Sequence, residues 1–448
     1  MHDVGTVAGQ TLARHRWAEH AAELGDWPAA ATAWEEALRD CPESGAARRG
    51  LILALAQLGR GDESLAYCAT ELAESDGEHW LGQAIVRAME RSDLSMAGCL
   101  ASGLARTQRG EGRRAGRSGA DLTPRFLTLP SLRHDIAQLQ LLRDLGQLEE
   151  WADDAIVRYG RVVARYQLMG DSWRIPLAGQ EAEEIGDTWG RLLHVEEGPR
   201  VERALSPHWD REASQRTYLE RPPGVVVIDD FLTEEALTAL EQFCVRSTIW
   251  FGNRYPDGRL GAFFFSGFNC PVLLQIAEEI QEALPRLIGP RYPLRQLWAF
   301  KNTGALPADS TIHADFAAIN VNFWISPTEA NLDPQSGGLR VYDLSAPRSW
   351  DFRAYNEGLE MIRNYIAARR PREMRIPYRR NRLVLFNSDL FHATEAVRFR
   401  PEYTSHRINV TLLYGDREQD GHHSPRPEDD FVRSSWRSPV FSRHRSLR

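Results

Sequence analysis

Lysine is almost missing from this chain: of its 54 basic residues only Lys301 is a lysine, and the others are arginines. Basic charge as a whole is outweighed by 62 acidic residues, for a net charge of -8, which argues against nucleic acid as the default partner. Cysteine is scarce. Cys41, Cys68, Cys99, Cys244 and Cys270 are scattered without CxxC spacing, an odd and sparse set that fits free thiols in a reducing compartment. No apolar run approaches the roughly 20 residues needed to cross a bilayer, so no membrane span is expected. Residues 1–10 lack both a charged start and an apolar stretch, and do not read as a secretion signal. The expectation is a cytoplasmic protein. Its 448 residues, 42% hydrophobic and 26% charged, can bury at least two cores.

The first hundred residues have a period of their own. Leu24-Gly25-Asp26 and Leu58-Gly59-Arg60 stand 34 residues apart, and Ala30, Trp34, Ala37 and Pro42 follow the first copy. Small residues let two helices approach, a large one fills the gap between them, and proline ends the second helix. These offsets resemble the tetratricopeptide repeat. The second copy departs from it, with Ser64, Cys68, Glu71 and Asp76 at the same offsets, and a third around Asp93 to Ala105 is fainter. Residues 1–105 are therefore read as helical repeats. Arg106, Arg109, Arg113, Arg114 and Arg117, set among Gly and Ser, mark residues 106–130 as a solvated linker or loop, with a polyanion contact as the lesser reading.

Repeat arrays need neighbours to bury their faces, so the helices of residues 131–221 are expected to complete the stack. One runs from a Ser131 cap through Leu132 to Leu145, another from Leu148 to Gln167, and a third from Glu181 to Leu193. Pro222-Pro223-Gly224 marks a boundary before the strand Val225–Ile228, and Thr233 caps a helix over Glu234–Arg246. Gly337-Gly338 reads as a turn between strands, and Tyr355 to Arg369 as a helical insertion. Residues 222–416 form the second domain. Residues 417–448 are read as a polar tail, in which His422-His423 is a solvated pair.

Within residues 222–416 a small set of side chains carries chemistry. His313 and Asp315 are two residues apart, so in an extended segment they share a face; His392 follows 77 residues after Asp315. Two imidazoles and one carboxylate on one face of an octahedron leave positions open, the arrangement of non-haem Fe(II) oxygenases. Thr311 to Ile325 reads as a strand in which Ile319, Val321, Phe323 and Ile325 alternate with Asn320, Asn322 and Trp324. His392 opens a short run to Phe399. Arg407 begins an alternating run in which Asn409 and Thr411 share its face, and His406 points to the other. A guanidinium on a core-bound strand requires a planar anion opposite it. Bland readings stand beside these: a surface histidine at 313, an ordinary polar residue at 392, and a structural pair of Arg407 with Glu395 or Glu402.

At these residues the chain resembles the 2-oxoglutarate and Fe(II)-dependent dioxygenases, over roughly Pro222 to Asp416. The resemblance implies an α+β multidomain chain, in which the all-α tetratricopeptide-like repeats precede a double-stranded β-helix of jelly-roll, cupin-like type. It implies Fe(II) on His313, Asp315 and His392, with 2-oxoglutarate anchored by Arg407 and dioxygen as oxidant; ascorbate would be supportive. By analogy with the family's first core strand, Leu294 to Lys301 precedes the His-Ala-Asp motif. Trp298, Phe300 and Asn302 on one of its faces, with Thr411, are candidates to line the co-substrate pocket, against core packing for the aromatics. Phe263 to Asn269 could wall a substrate cleft or form a core strand. Halogenating relatives lack the carboxylate that Asp315 supplies. Repair relatives carry a second arginine six residues beyond the first, where this chain has Leu413. Hydroxylation of a peptide or protein side chain is the expected activity, since collagen prolyl hydroxylases join a related helical domain to an oxygenase barrel. A small metabolite or natural-product intermediate as substrate, and a non-catalytic scaffold, are the alternatives.

Overall fold

The computed structural model describes residues 4–110, 126–253, 255, 258–308 and 311–418. The chain divides into two compact units, Met1–Asp121 and Leu122–Arg448. No helix among the described residues is long and apolar enough to cross a membrane. Arg113, Arg114, Arg117 and the His422-His423 pair lie outside the described residues.

The first unit is a run of helices: α1 (Val4–Glu23), α2 (Trp27–Asp40), α3 (Gly45–Gln57), α4 (Gly61–Glu71), α5 (Gly77–Glu90) and α6 (Leu94–Arg109). Gly25 and Gly59, the glycines of the two repeat copies, follow α1 and α3 with φ of +76° and +70°, a left-handed conformation that a side chain would strain. Asp26, Ser44 and Asp93 accept hydrogen bonds from the first turns of α2, α3 and α6. In the first copy Trp34 lies against Gly50 of α3, where a Cβ would come within 2.3 Å of the indole. The second copy has a small residue in place of the large one. Cys68 of α4 is small enough for Gly103 of α6 to approach its sulfur, and Glu71 is buried between two arginines of α3, Arg48 Nε at 3.0 Å and Arg49 Nε at 2.6 Å. The departures from the repeat pattern are thus compensated on neighbouring helices.

The second unit opens with a two-stranded ribbon, β1 (Phe126–Leu127) and β2 (Ile175–Pro176), around helices α7 (Leu129–Asp144) and α8 (Trp151–Tyr166). Helices α9 (Gln180–Ile185) and α10 (Arg211–Glu220) follow. These helices, expected at residues 131–221 to complete the repeat stack, fall in the second unit. The reason is visible in α7, whose Gln138 amide donates to the carbonyls of Val245 and Ser247 at 3.1 and 2.8 Å. Leu132, Leu139, Leu142, Tyr159 and Trp189 form their own core. Two boundaries also shift. Thr128, not Ser131, caps α7, and Ser131 completes the capping box from its third position. The segment read as a helix over Glu181 to Leu193 is helical only to Ile185.

The remaining strands are β3 (Val225–Asp229), β4 (Arg259–Phe263), β5 (Leu294–Asn302), β6 (Ile319–Trp324), β7 (Leu339–Ser345), β8 (Glu373–Ile376), β9 (Arg382–Asn387), β10 (Leu390–Thr394) and β11 (Arg407–Tyr414). They form a six-stranded antiparallel sheet in the order β3-β9-β6-β11-β5-β4 and a three-stranded one in the order β10-β7-β8. His313 extends the smaller sheet by pairing with His392. From β5 onward the chain therefore passes from the large sheet to the small one at His313, back at β6, across again for β7 and β8, and then alternates through β9, β10 and β11. That alternation is a double-stranded β-helix. Helices α11 (Glu234–Arg246), capped by Thr233 as expected, and α12 (Pro271–Ala283) belong to the same unit, and the Tyr414 hydroxyl donates to Ala277 of α12 at 2.9 Å.

The alternation read in Arg407–Tyr414 has a clear consequence here. Every residue of β11 is buried, so its polar face points inward between the sheets while its apolar face takes the helices. Gly337, with φ of +76°, turns the chain into β7, and a Cβ on Gly338 would meet the Ile376 carbonyl at 1.8 Å, which glycine alone avoids. The expected insertion is a π-turn over Arg353–Glu357 followed by α13 (Leu359–Arg369). The tail begins later than residue 417. Arg417 is buried, its guanidinium donating to the Asp389 carboxylate at 2.5 Å and to the carbonyls of Ala346 and Pro347, so residues 416–418 belong to the domain.

Candidate metal centre

His313 and His392 exchange backbone hydrogen bonds, 3.0 Å and 2.8 Å, as a directly opposed antiparallel pair. Their imidazoles consequently leave the sheet side by side, with ring centroids 4.4 Å apart. Thr311 to Ile325 is not one strand, as the alternation suggested. After His313 the chain bends over residues 316–318 and crosses to the large sheet, where regular pairing begins at Ile319. Asp315 sits before that crossing, held by its backbone N–H on the Ser388 carbonyl at 3.0 Å. The π-turn fixes the same stretch: the Ala314 N–H donates to Tyr355, and the Asn356 amide donates to the Ala314 carbonyl at 2.9 Å. His392 does not open a strand but lies within β10.

Asp315 Oδ1 is 3.7 Å from His313 Nε2, and Oδ2 is 3.4 Å from His392 Nε2. One potential ligand atom from each residue lies within 4.8 Å of the others. The other ring nitrogens settle which atoms face the centre. His313 Nδ1 reaches the Thr311 carbonyl at 2.6 Å and His392 Nδ1 the Leu390 carbonyl at 3.0 Å; a carbonyl only accepts, so each Nδ1 carries the proton. In the neutral ring each Nε2 then presents a lone pair to a carboxylate. Acceptors facing acceptors in a buried site are repulsive until a cation stands between them, so the donor set fits a divalent metal with nitrogen and oxygen preference.

Electrostatics keep the groups in that form. Burial, with His392 beside it, pulls the His313 imidazole down to about 4. For Asp315 burial pushes upward, but in acid, where the imidazoles carry a proton, their positive charge and the Asn320 amide outweigh it and hold the carboxyl below its ordinary value. At neutral pH the set is an ionised carboxylate with a neutral His313, the ligating states. The Phe386 ring meets His392 edge-on at 4.9 Å and closes one side.

Arg407 lies 2% exposed on the same inner face of the large sheet. Its Nε donates to the Gly337 carbonyl at 2.6 Å, and its Nη1 is 3.4 Å from Asn302 Oδ1. Glu395 is taken by Arg340 at 2.7 Å, and no described carboxylate lies within 4.0 Å of Arg407. Burial therefore pulls the guanidinium down to about 9, Tyr378 opposing and Arg259 adding like-charge repulsion. Two further donors stand unused nearby. Asn302 Nδ2 and Trp324 Nε1 are buried without a hydrogen-bond partner among the described residues, and the Trp324 ring centroid is 5.8 Å from the guanidinium carbon. A cation and two orphaned N–H groups together require an acceptor, and a carboxylate has the shape for it.

Of the expected pocket residues, Asn302 thus adjoins Arg407. Thr411 lies further along the face, its hydroxyl donating to Asn322 Oδ1 at 2.8 Å, and Trp298 is its register partner on β5. The residues that sequence reasoning left out of the site connect these parts. The Asn320 amide donates to Asp315 Oδ2 at 2.5 Å, Asn322 donates to Asn320, and Asn409 donates to Asn322. The signal was present in the two asparagines alternating with Val321 and Phe323. Tyr378, whose hydroxyl donates to the Ser326 carbonyl at 2.6 Å, flanks Arg407 from a loop and left no such signal. A hollow of about 360 Å³ lined by Glu196, Glu234 and Glu235 shares no residue with this centre.

The class of structure is therefore a double-stranded β-helix with a His-Asp-His set on its inner face, preceded by helical repeats. Residues 15–79 match the family model described as Tetratricopeptide repeat. Among solved structures, the chain is similar to the non-haem alpha-ketoglutarate-dependent epimerase SnoN from nogalamycin biosynthesis, at 13% identity and a TM-score of 0.33, covering 46% of this chain and 84% of that one. It is similar to a Pseudomonas putida prolyl-4-hydroxylase at 13% identity and 0.30, covering 47% and 100%. It is also similar to HygX from Streptomyces hygroscopicus, solved with nickel and 2-oxoglutarate, at 14% identity and 0.33, covering 48% and 93%. No curated protein matches the chain. At scores this low the functional reading rests on the side chains and not on these likenesses.

Proposed function

We propose that this protein is an Fe(II)- and 2-oxoglutarate-dependent dioxygenase that hydroxylates a peptide or protein side chain, releasing succinate and carbon dioxide. The observation that carries it is the pairing of a buried, self-repelling His-Asp-His set with a buried arginine that no described carboxylate reaches. Each half needs a ligand, and one ligand type, a metal-chelating oxo-acid with a second carboxylate, serves both.

His313, Asp315 and His392 hold the ion through Nε2, a carboxylate oxygen and Nε2. Bound Fe(II) with the oxo-acid supplies dioxygen activation coupled to decarboxylation of the co-substrate. Arg407 takes the far carboxylate with its fork, while Asn302 Nδ2 and Trp324 Nε1 offer the remaining donors. Asn320 orients the Asp315 carboxylate, and Asn322 holds Asn320 in turn. Because the attacked hydrogen is whichever is held nearest, selectivity is a matter of substrate position. The helical repeats support a peptide as that substrate, since arrays of this kind present extended binding surfaces.

The test is direct. Full-length protein with Fe(II), ascorbate and 2-oxoglutarate is expected to release succinate slowly, and a co-purifying partner should gain the mass of one oxygen. Silence in both, across peptide and metabolite trials, would leave the scaffold reading. Removing residues 1–121 separates the substrate classes: peptide capture is lost if the repeats hold the substrate.

A further inference from the structure

Arg259 of β4 lies directly opposite Asn302 of β5, which lies directly opposite Arg407 of β11. Opposed residues of antiparallel strands point to one face, so these three side chains form a row across the inner face of the large sheet. Phe300, two residues before Asn302, shares that face. Its ring centroid lies 3.8 Å from the Arg259 guanidinium carbon, with Tyr255 on another side at 5.7 Å. Among the described residues no carboxylate lies within 4.0 Å of Arg259, and no acceptor takes a hydrogen bond from it. Its charge is nonetheless felt along the row, where it opposes the protonation of Arg407.

Other buried or partly buried arginines on or beside these strands are paired. Arg340 has Glu395, Arg382 has Asp229 and Arg417 has Asp389. Arg259 departs from that pattern beside a second unpaired cation. On the oxygenase reading above, Arg407 is satisfied by the co-substrate. Among the described residues, a divalent ion, Asp315, two guanidinium groups and a dianionic co-substrate leave a positive charge uncancelled, and it resides on Arg259. Stacking on Phe300 leaves the edge of the fork, with its N–H groups, free to receive a planar or tetrahedral oxyanion.

We propose that Arg259 anchors an oxyanion, carboxylate or phosphate, carried by the substrate that is oxidised, and so restricts the site to anionic substrates. In a peptide the anchored group is an acidic or phosphorylated residue close to the one hydroxylated. Arg259 is a positioning residue for the attacked carbon rather than a ligand of the ion.

Calorimetry on the full-length chain tests this without turnover. Protein loaded with Mn(II) and saturated with 2-oxoglutarate is titrated with inorganic phosphate or with acetate as probes, in wild type and in Arg259→Gln, Arg259→Lys and Arg407→Gln. Saturable binding of one probe is expected in wild type, weakened tenfold or more in Arg259→Gln and less in Arg259→Lys, which keeps the charge but not the fork. A preference for phosphate or for acetate distinguishes the two sources of the oxyanion. The loss of probe binding in Arg259→Gln should exceed its loss of 2-oxoglutarate binding at least tenfold, and Arg407→Gln should show the reverse. Wild type that binds neither probe overturns the proposal, as does an Arg259→Gln chain that loses 2-oxoglutarate and keeps the probe. Failure of wild type to bind 2-oxoglutarate sinks the oxygenase reading instead, and the same titration on the metal-free chain still decides whether Arg259 holds an oxyanion.

Discussion

Buried charge is treated in opposite ways in the two units. In the repeats, Glu71 is fully buried and both of its oxygens are taken by Arg48 and Arg49, with Glu74 and Asp76 on the outer nitrogens. In the second unit, Arg407 and Lys301 are as deeply buried, yet no described carboxylate lies within 4.0 Å of either. A paired set closes on itself and holds helices together. An unpaired one is a standing demand for a ligand or a local penalty, and the two cases differ: Arg407 faces orphaned donors, while Lys301 is surrounded by the rings of Trp250 and Tyr403 and by His134 Nε2 at 3.2 Å. The lesson is that an uncompensated cation signals function only where its surroundings are also unsatisfied.

The sharpest break of that contrast lies at the metal centre. Asp315→Ala or His392→Ala should reduce Fe(II)-dependent succinate release to background, more than the roughly 10–100-fold that losing a supporting partner costs, measured with the melting temperature kept as a control. On the paired side, Glu71→Gln removes the buried anion that two arginines share and leaves them only Glu74 and Asp76 on their outer nitrogens. It should destabilise the first unit by about 3–5 kcal/mol in urea unfolding, and a midpoint equal to wild type would make the pair ornamental. Arg407→Gln should do the opposite, sparing the fold while weakening 2-oxoglutarate by about 2–4 kcal/mol, or roughly 30- to 1000-fold, as losing a charge-assisted fork predicts. An unchanged affinity removes Arg407 from the co-substrate site.

The smallest effect concerns Lys301. Burial pulls its ammonium down to about 7 from an ordinary 10.5. Between those values the unfolded chain binds more protons than the native one, so stability rises with pH from about 7 towards 10.5 and the penalty is complete below 7. Thermal melts should show this slope, and Lys301→Met should flatten it. A slope of the same size in the variant would assign it to other groups.

Much of this was legible beforehand because it depends on local periodicity. The 34-residue repeat, the Thr233 cap and the alternation in Arg407–Tyr414 are each short-range patterns, and they appear where expected. His313, Asp315 and His392 were legible by residue type and order. Errors arose where long-range packing decides. Residues 131–221 carry helical signals that say nothing of which core receives them, and α7 is tied through Gln138 to the end of α11. Arg417 looked like the start of a tail, because a buried pairing with Asp389 has no local signature.

By itself the sequence determined which chemistry was possible: two imidazoles, a carboxylate and a guanidinium, in an order that suits one metal ion and one anion. Only the tertiary structure decided that no described carboxylate reaches Arg407, that Asn320 reaches Asp315, and that Arg259 joins the same row. The physical reason is that side-chain direction follows from neighbouring residues, whereas the presence or absence of a counter-charge depends on strands brought together from 43 residues apart, as for Arg259 and Asn302, or 105, as for Asn302 and Arg407.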